Sequence, residues 1–331
     1  MVDRSVVSRV VTGDPRLSVR PDTRARVLRA IEQLHYRTNA AARSLRTARA
    51  GALGLLIPDY ANPIYAEIIK GAEGAALARG YVLLTGSSSG RGRRINPYAE
   101  LLDNGRVDGV LLAGAEHGSD LEAAASSAVP SILLNRRLPG AARFVTLDDE
   151  RAAELAVDHL VGLGHTAIAH VAGPAQADTA TRRRKGYSRA LAKHGIAPRG
   201  SYVVAADYSP AGGARALGAL LRLADPPTAV VVANIASAIG VLDAARRAGA
   251  GVPERLSVVA VHDLDLAGFL YPGLTTVRMP LRRLGARGVE LLTTLPGDAP
   301  IQEVLTGEIA LVQRASTAPP PAAHGRRARD A

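Results

Sequence analysis

The segment GALGLLIPDYANPIYAEIIKGAEGAALARGYVLL, from Gly51 to Leu84, decides the fold of this chain. An apolar run at Leu53–Ile57 is followed by helical spacing of apolar residues at Ile64–Arg79, and a second apolar run occupies Tyr81–Leu84. Continuous apolar runs are typical of parallel strands buried on both faces, and parallel strands need a long connection such as a helix. The segment therefore predicts one strand-helix-strand unit.

The same alternation continues through the rest of the chain. The predicted strands are Val107–Leu112, Ser131–Leu134, Ala167–Ala172, Ala229–Ala233 and Val258–Val261, and the predicted helices are Glu150–Leu163, Lys185–His194, Ser237–Ala248 and Leu281–Leu292. Because these strands are too many for one small sheet, we expect two doubly wound α/β halves with a ligand cleft between them. The Pro-, Ala- and Arg-rich end, 315–331, is predicted to be disordered.

Length and composition exclude several classes of protein. With 331 residues and 47% hydrophobic side chains, the chain is long enough for two domains with their own cores. No run approaches the roughly 18 consecutive apolar residues that span a bilayer, and arginines interrupt the first twenty residues. The absence of cysteine excludes disulfides, thiolate chemistry and cysteine-bound metals. We therefore expect a cytoplasmic globular protein.

Positive charge is concentrated at the N terminus. The formal net charge is +11, and +7 of it arises in residues 1–50, where eleven arginines stand against four acidic residues. Basic residues that neutralise phosphates supply most sequence-independent affinity for DNA, so this segment favours a polyanion-binding module; a solvated charged face is the alternative. Its predicted helices are Ser5–Val11, a helix that begins at Pro21, and Asn39–Arg46.

The chain contains the following motifs in sequence order: SRVV (Ser8–Val11), GDP (Gly13–Pro15), TRARVLRAIEQLHY (Thr23–Tyr36), NAAARSLRT (Asn39–Thr47), GLLIPDYANPIYAEIIKGAE (Gly54–Glu73), DHLVGLGHTAIAHVAGP (Asp158–Pro174), PTAVVVAN (Pro227–Asn234) and VPERLSVVAVHDLDLA…LTTVRMPL (Val252–Leu281). In this order the chain resembles the lactose-repressor/galactose-repressor family of bacterial transcription regulators. The resemblance implies a helix-turn-helix headpiece at 1–50 with a hinge helix at 39–46, and an effector core like periplasmic sugar-binding proteins. It further implies a core N-subdomain of 51–163 plus 278–305 and a C-subdomain of 164–277 plus 306–314.

The headpiece departs from the family pattern. The family has a helix ahead of the recognition helix, whereas here the chain begins just before Val2, and we expect the natural reading frame to begin upstream. The turn between Arg9 and Thr23 is longer than in the family, and Thr38 replaces the usual proline before the hinge. We therefore expect a truncated headpiece that discriminates its operator poorly.

The resemblance implies five DNA-binding residues, namely Arg4, Ser5, Arg9, Asn39 and Leu45. Arg4 and Ser5 fall where the family's recognition helix points at base edges, and Arg9 lies further along that helix. Arginine can read guanine in the major groove, although contact of Arg4 and Arg9 with phosphates alone is the alternative. Leu45 matches a leucine that wedges into the minor groove, with ordinary helix packing as its alternative.

The resemblance also implies six effector-binding residues at strand ends and the loops after them, namely Ile64, Tyr65, Asp148, Arg183, Asn234 and His262. The first two match an apolar or aromatic pair over the ligand, and the other four match polar pocket positions. Helix capping is the alternative for Asp148 and Asn234, and a solvated position is the alternative for Arg183. Because His262 stands where the family usually has an acid, we expect a pocket less sugar-like than average.

Enzyme signatures are not found in the sequence. GSSSGRG at 86–92 lacks the glycine spacing of a phosphate-binding loop, and no histidines have zinc-ligand spacing. We therefore predict no enzyme activity, no cofactor and no metal. The expected protein is a homodimeric repressor of a pseudo-palindromic double-stranded DNA operator, switched by a small, sugar-like effector. A small-molecule binding protein that has lost specific DNA binding and an enzyme on the same fold remain as alternatives.

Overall fold

The computed structural model describes residues 3–11, 16–34, 49–87, 106–113 and 129–321. Ahead of the core, the described residues include two helices, α1 (Arg4–Val11) and α2 (Pro21–Gln33). They contact each other, and Val10 and Val27 are buried. The predicted helix Asn39–Arg46 lies outside the described residues. In the described part of the chain, no helix combines the length and the apolar character needed to cross a membrane.

The described part of the core combines twelve strands with six helices. In order, its elements are β1 (Ala52–Ile57), α3 (Ile64–Leu77), β2 (Val82–Ser87), β3 (Val110–Leu112), β4 (Ser131–Leu134), β5 (Arg143–Leu147), α4 (Asp149–Gly162), β6 (Ile168–Ala172), α5 (Asp178–Lys193), β7 (Val203–Ala205), α6 (Pro210–Leu221), β8 (Ala229–Val232), α7 (Ile235–Arg247), β9 (Ser257–Val261), β10 (Thr275–Arg278), α8 (Leu281–Thr294), β11 (Ile301–Leu305) and β12 (Ala310–Val312). Short 3₁₀ turns at Gly200–Tyr202 and Asp265–Gly268 complete the description.

The strands form two six-stranded sheets. The first has the order β11-β5-β4-β3-β1-β2 and is parallel throughout. The second has the order β12-β10-β9-β8-β6-β7 and is parallel except at β12, which is antiparallel to β10. Strands β6, β8 and β9 are buried at every residue, as expected for parallel strands covered on both faces. The predicted architecture of two doubly wound α/β subdomains is confirmed.

The chain passes between the subdomains three times: between β5 and α4, between β10 and α8, and between β11 and β12. Helix α4 packs on β8, β9, β10 and β12 and against α5. Its buried stripe of Ala152, Ala156 and Leu160 covers the second sheet. The predicted boundary after residue 163 is therefore wrong, because α4 belongs to the second subdomain.

Two glycines fix the helical layer of the first subdomain. Helices α3 and α8 lie against each other. A Cβ at Gly71 would lie 1.9 Å from the backbone oxygen of Arg282, and one at Gly285 would lie 2.0 Å from that of Ile68. A methyl group fits at neither position, so only glycine allows the two backbones to touch. This contact holds the first turn of α3 at the carboxyl edge of the first sheet.

The segment 315–321 packs on the second subdomain. Ser316 is buried, and its hydroxyl donates to the carbonyl oxygen of Val258 at 2.6 Å. The Ser257 hydroxyl donates to the carbonyl oxygen of Ala318 and accepts from its N–H. The prediction of disorder from residue 315 is wrong for this segment, because serine side chains satisfy its backbone groups. The remainder of the predicted tail lies outside the described residues.

Candidate functional site

A cleft of about 480 Å³ opens between the two subdomains at the carboxyl ends of their parallel strands. Ligands of open α/β sheets bind at this edge, because the loops after the strands converge there. Five of the six residues predicted to bind the effector line the cleft, namely Ile64, Tyr65, Arg183, Asn234 and His262. The sixth, Asp148, does not line it.

Arg183, on α5, is held by three partners in the cleft wall. Its Nε donates to Asp149 Oδ1 at 2.7 Å and its Nη1 donates to the carbonyl oxygen of Ala233 at 2.7 Å. Its Nη2 donates to His262 Nε2 at 3.2 Å and lies 2.7 Å from Asp149 Oδ1. Only 2% of Arg183 is exposed, so the solvated alternative is wrong. These contacts leave at most one N–H of Arg183, on Nη1, for a ligand.

Asp149 does not line the cleft, but it is the buried acidic partner of Arg183, which does. Its side chain is fully buried, with Oδ1 accepting from Arg183 and Oδ2 accepting from Arg182 Nη2 at 2.5 Å. Burial by itself would raise the pKa of the Asp149 carboxyl, but the charges of Arg183 and Arg182 outweigh it and the pKa is lowered. A fixed carboxylate therefore lies between two guanidinium groups.

Asp148 and Asn234 are helix caps. Asp148 Oδ1 accepts from the Arg151 N–H at 2.9 Å at the start of α4. Asn234 Oδ1 accepts from the Ser237 N–H at 2.9 Å at the start of α7. Each cap satisfies an N–H group that the first helical turn leaves unbonded. The capping alternative accounts for Asp148, which does not line the cleft, whereas Asn234 both caps α7 and lines the cleft.

His262 is neutral and its tautomer is fixed. A guanidinium can only donate, so His262 Nε2 accepts from Arg183 and the ring proton lies on Nδ1. Burial, together with the positive charge of Arg183, lowers the pKa of His262 to about 3. The ring is completely buried, and within the described ranges Nδ1 has no hydrogen-bond partner. The buried Nδ1–H of His262 is therefore a donor without a partner among the residues that the structure describes.

Three residues of the cleft have left-handed backbone: Asn135 with φ of 58°, Tyr208 with φ of 62° and His262 with φ of 76°. Side chains other than glycine rarely adopt this conformation, and such strain clusters at binding sites. Only His262 of the three was predicted from the sequence. An asparagine directly after the apolar run of β4 was an available signal for Asn135, but Tyr208 follows β7, a strand that the pattern did not predict.

The ring of Tyr208 is packed tightly beside the cleft. Its hydroxyl lies 2.8 Å from Thr179 Oγ1, and burial raises the pKa of the phenol. A Cβ at Gly173, directly after β6, would lie 2.2 Å from the Tyr208 hydroxyl. Glycine at that position therefore makes room for the ring.

A hydrogen bond crosses between the subdomains beside the cleft. The backbone N–H of Arg137, in the loop between β4 and β5, donates to Asp178 Oδ2 at 2.7 Å. Asp178 begins α5, and the same oxygen accepts from Arg182, which also binds Asp149. The first subdomain is therefore tied to the buried ion-pair network of the second.

The cleft combines these polar groups with an apolar wall. Ile64 and Tyr65, in the first turn of α3, are both buried and line the first subdomain's side. Within the residues that the structure describes, no group of three or more His, Cys, Asp or Glu is placed to hold a metal ion. The arrangement can bind a small polar molecule by hydrogen bonds and by contact with apolar and aromatic side chains.

The headpiece residues are described in part. Arg4, Ser5 and Arg9 belong to α1, and Arg9 is exposed. Asn39 and Leu45 lie outside the described residues. The DNA contacts of all five residues remain predictions.

Comparison with known proteins places the chain among transcription regulators. The profile of the periplasmic binding protein-like domain matches residues 157–317. Catabolite control protein A of Priestia megaterium is 35% identical over 300 residues, and the ribose operon repressor of Escherichia coli K12 is 33% identical over 294; each alignment covers 88% of both chains.

Solved structures give the same result. A LacI family transcriptional regulator from Mycobacterium smegmatis superposes with a TM-score of 0.76 at 38% identity, covering 81% of this chain and 99% of that one. The lac repressor dimer bound to operator and the anti-inducer ONPF superposes with a TM-score of 0.83 at 26% identity, covering 96% of both chains. The chain therefore belongs to the LacI family of transcriptional regulators.

Proposed function

We propose that this protein is a cytoplasmic repressor whose affinity for a pseudo-palindromic operator is switched by a small, sugar-like molecule bound in the cleft. The buried ion pair between Asp149 and Arg183, of which Arg183 lines the cleft, carries the proposal. Burying an ion pair is costly in free energy, and buried charges beside a cleft are typical of ligand-binding sites. A ribose operon repressor and a LacI family regulator from Enterococcus faecium with bound ribose are among its relatives, which supports a sugar-like ligand.

The two N-terminal helices support the DNA-binding half of the proposal. Arg9 of α1 and Arg24, Arg26 and Arg29 of α2 are exposed. Arginines on a small helical unit attract the phosphate backbone, and an exposed arginine on a recognition helix can also reach base edges.

The junction between headpiece and core is fixed by Asp108. The two oxygens of its carboxylate accept from the backbone N–H groups of Ala50 and Gly51, each at 2.8 Å, directly before β1. Asp108 itself lies just ahead of β3 in the first subdomain. A rotation of that subdomain on ligand binding would therefore be transmitted to the segment that leads to the headpiece.

Exposed apolar side chains support assembly as a homodimer. Phe269 and Tyr271, beside the 3₁₀ turn of the second subdomain, are 89% and 98% exposed. Leu77 and Val82, at the β2 edge of the first subdomain, are also exposed. Clustered aromatic and aliphatic groups in water mark protein interfaces, and two half-site headpieces are needed for specific operator binding. Sedimentation should give a dimer at micromolar concentration, and a monomer would contradict this part of the proposal.

Operator binding in the presence and absence of ligand tests the proposal. A thermal-shift screen of sugars, polyols, nucleosides and purines identifies a ligand, because binding at a hundred times the dissociation constant adds about 2.7 kcal/mol to the stability. Fluorescence anisotropy then compares DNA from upstream of the protein's own gene with a scrambled duplex. We expect preference for the upstream DNA and a change in that affinity on addition of ligand.

Arg183→Ala and Asp148→Ala form a matched pair for the ligand half of the test. Arg183→Ala removes a charge-assisted donor and loosens the wall, so ligand affinity should fall at least about tenfold. Asp148→Ala removes only a helix cap, so it should cost about 1 kcal/mol of stability and leave ligand affinity nearly unchanged. Ligand binding without any preference for the upstream DNA would favour a binding protein that has lost DNA recognition.

A further inference from the structure

A groove of about 460 Å³ lies on the second subdomain, outside the cleft. It runs between helix α5 and strand β7, which is the last strand of the second sheet in the described part of the chain. Its volume falls within the range of small-molecule sites, and the residues that line it are different from those that line the cleft. The groove is therefore separate from the predicted effector site.

Four consecutive basic residues of α5, 182–185, are divided between the protein interior and this groove. Arg182 and Arg183 are buried and paired with aspartates. Arg184 and Lys185 are exposed and line the groove. Lys185 forms an ion pair with Glu150 at 3.0 Å, whereas Arg184 has no acidic partner among the residues that the structure describes. The groove therefore carries a positive charge that those residues do not neutralise.

The rest of the lining combines two hydroxyl groups with an apolar surface. Thr181 and Ser188 lie on the same face of α5 as Arg184, because residues three and four positions apart are neighbours on a helix. Within the described ranges the Ser188 hydroxyl has no hydrogen-bond partner, so it can donate to a ligand. The other lining residues are apolar or glycine, namely Ala172, Gly173, Ala175, Ala180, Val203 and Ala205. An anionic group on a compact apolar body fits this combination, whereas a sugar would place hydroxyl groups against the apolar surface.

The groove and the cleft share a wall. The loop 173–177, between β6 and α5, contributes Gly173 and Ala175 to the groove and its other three residues to the cleft. Gly173 also packs against Tyr208, a residue of the cleft, so closely that a Cβ at Gly173 would lie 2.2 Å from the Tyr208 hydroxyl. Close-packed groups transmit a displacement to their neighbours. A ligand that shifts this loop from the groove side therefore also shifts the lining of the cleft.

We propose that the groove is a second ligand site, for a small organic anion with a compact apolar body, and that its occupation alters the cleft through the loop 173–177. The charge of Arg184 attracts the anionic group and the apolar lining covers the body of the ligand. A carboxylate and a phosphate monoester offer the same anionic chemistry. The inference goes beyond the proposed function, because binding in the groove is measured without effector or operator DNA.

NMR titration of the full-length protein with small probes tests the site. The probes are benzoate, phenyl phosphate, benzamide and acetate, compared by saturation transfer at constant ionic strength so that screening is equal. Benzamide lacks the charge and acetate lacks the apolar body. Benzoate or phenyl phosphate should therefore bind at least about fivefold more tightly than either of them, and the tighter of the two anions identifies the preferred anionic group.

Three variants locate the bound probe. Arg184→Gln removes the unneutralised charge and should weaken anion binding about three- to tenfold. Arg189→Gln is the matched control, because Arg189 is an exposed arginine of α5 that does not line the groove, and it should leave the affinity nearly unchanged. Ala205→Leu places a larger side chain in the groove from the exposed end of β7 and should abolish binding. Circular dichroism checks that all three variants are folded.

Hydrogen exchange followed by mass spectrometry tests the effect on the cleft. The bound anion should slow exchange at least about twofold in peptides that cover 173–177 and in peptides that cover 206–210, which contain Tyr208. Protection confined to 180–188 would overturn transmission to the cleft. Equal affinity for the anions and benzamide, or anion binding that survives both Arg184→Gln and Ala205→Leu, would overturn the site itself. A protein that binds the anion here and shows no preference for the upstream DNA would keep this inference and contradict the proposed function.

Discussion

Neutralising Asp149 tests how the cleft wall is held together. Asp149→Asn preserves the shape of the side chain but leaves Arg182 and Arg183, which are 6% and 2% exposed, without their shared carboxylate. Removing one partner of a buried ion pair costs about 3–5 kcal/mol, because the other charge stays buried and uncompensated. Asp178 still pairs with Arg182 in the variant, so the cost falls mainly on Arg183. For a domain of about 150–250 residues, each kcal/mol lowers the melting temperature by about 2–4 °C.

Urea unfolding followed by circular dichroism measures this loss, since the chain has no tryptophan for fluorescence. The double variant Asp149→Asn/Arg183→Met removes the uncompensated charge as well, so it should be at least about 1 kcal/mol more stable than the sum of the single variants predicts. Asp207→Asn, which breaks a solvent-exposed pair with Arg215, is the matched control and should cost less than about 1 kcal/mol. If Asp149→Asn is as stable as this control, the buried pair does not hold the wall.

Three further predictions concern pH, the subdomain contact and DNA. Burial lowers the pKa of His262 to about 3 and that of His170 to about 4. Below pH 6.5 these histidines therefore bind protons in the unfolded chain but not in the folded protein. The free energy of unfolding then falls by about 1.4 kcal/mol per pH unit for each histidine as the pH is lowered. His262→Asn should remove its share of that slope in urea titrations between pH 6 and about 4.5, and an unchanged slope would refute the assignment. Asp178→Ala removes the bond to Arg137, so the radius of gyration of the free protein by X-ray scattering should rise; no change would mean that the bond does not hold the subdomains together. If Arg9 contacts a phosphate, Arg9→Ala should reduce the salt dependence of DNA binding by about one ion; if Arg9 contacts a base, the variant should show weaker sequence preference. A variant that shows neither effect would rule out both contacts.

The sequence predicts those strands whose burial on both faces produces a continuous run of apolar residues. Strands β6, β8 and β9 are buried on both faces, and each is a continuous run of mostly apolar residues. Strands β5, β7, β10, β11 and β12 and helix α6 were not predicted. Their sequences are short or mix polar with apolar residues, as in TTVR of β10. There the buried Thr276 hydroxyl donates to Asp263, and the backbone N–H of Thr275 donates to the Ser316 hydroxyl. Such strands are specified by their neighbours in the sheet, which a local pattern does not contain.

The sequence could not show which of the two aspartates at the start of α4 caps the helix and which is buried. Asp148 and Asp149 are adjacent and chemically identical, yet one caps the helix and the other is the buried carboxylate that pairs with Arg183. One residue along a helix turns the side chain by about 100°, so the exact residue at which the helix begins decides which acid faces inward.

The sequence by itself determined the two α/β subdomains and the cleft at their strand ends, because hydrophobic periodicity and strand ends are local properties. The family resemblance added five of the residues that line the cleft. Only the tertiary structure decided what those residues do. Arg183 meets Asp149 across 34 positions and His262 across 79, and these contacts bury the guanidinium, fix the histidine tautomer and lower its pKa. Burial and charge depend on the three-dimensional surroundings of a side chain, so no spacing along the chain could have specified them.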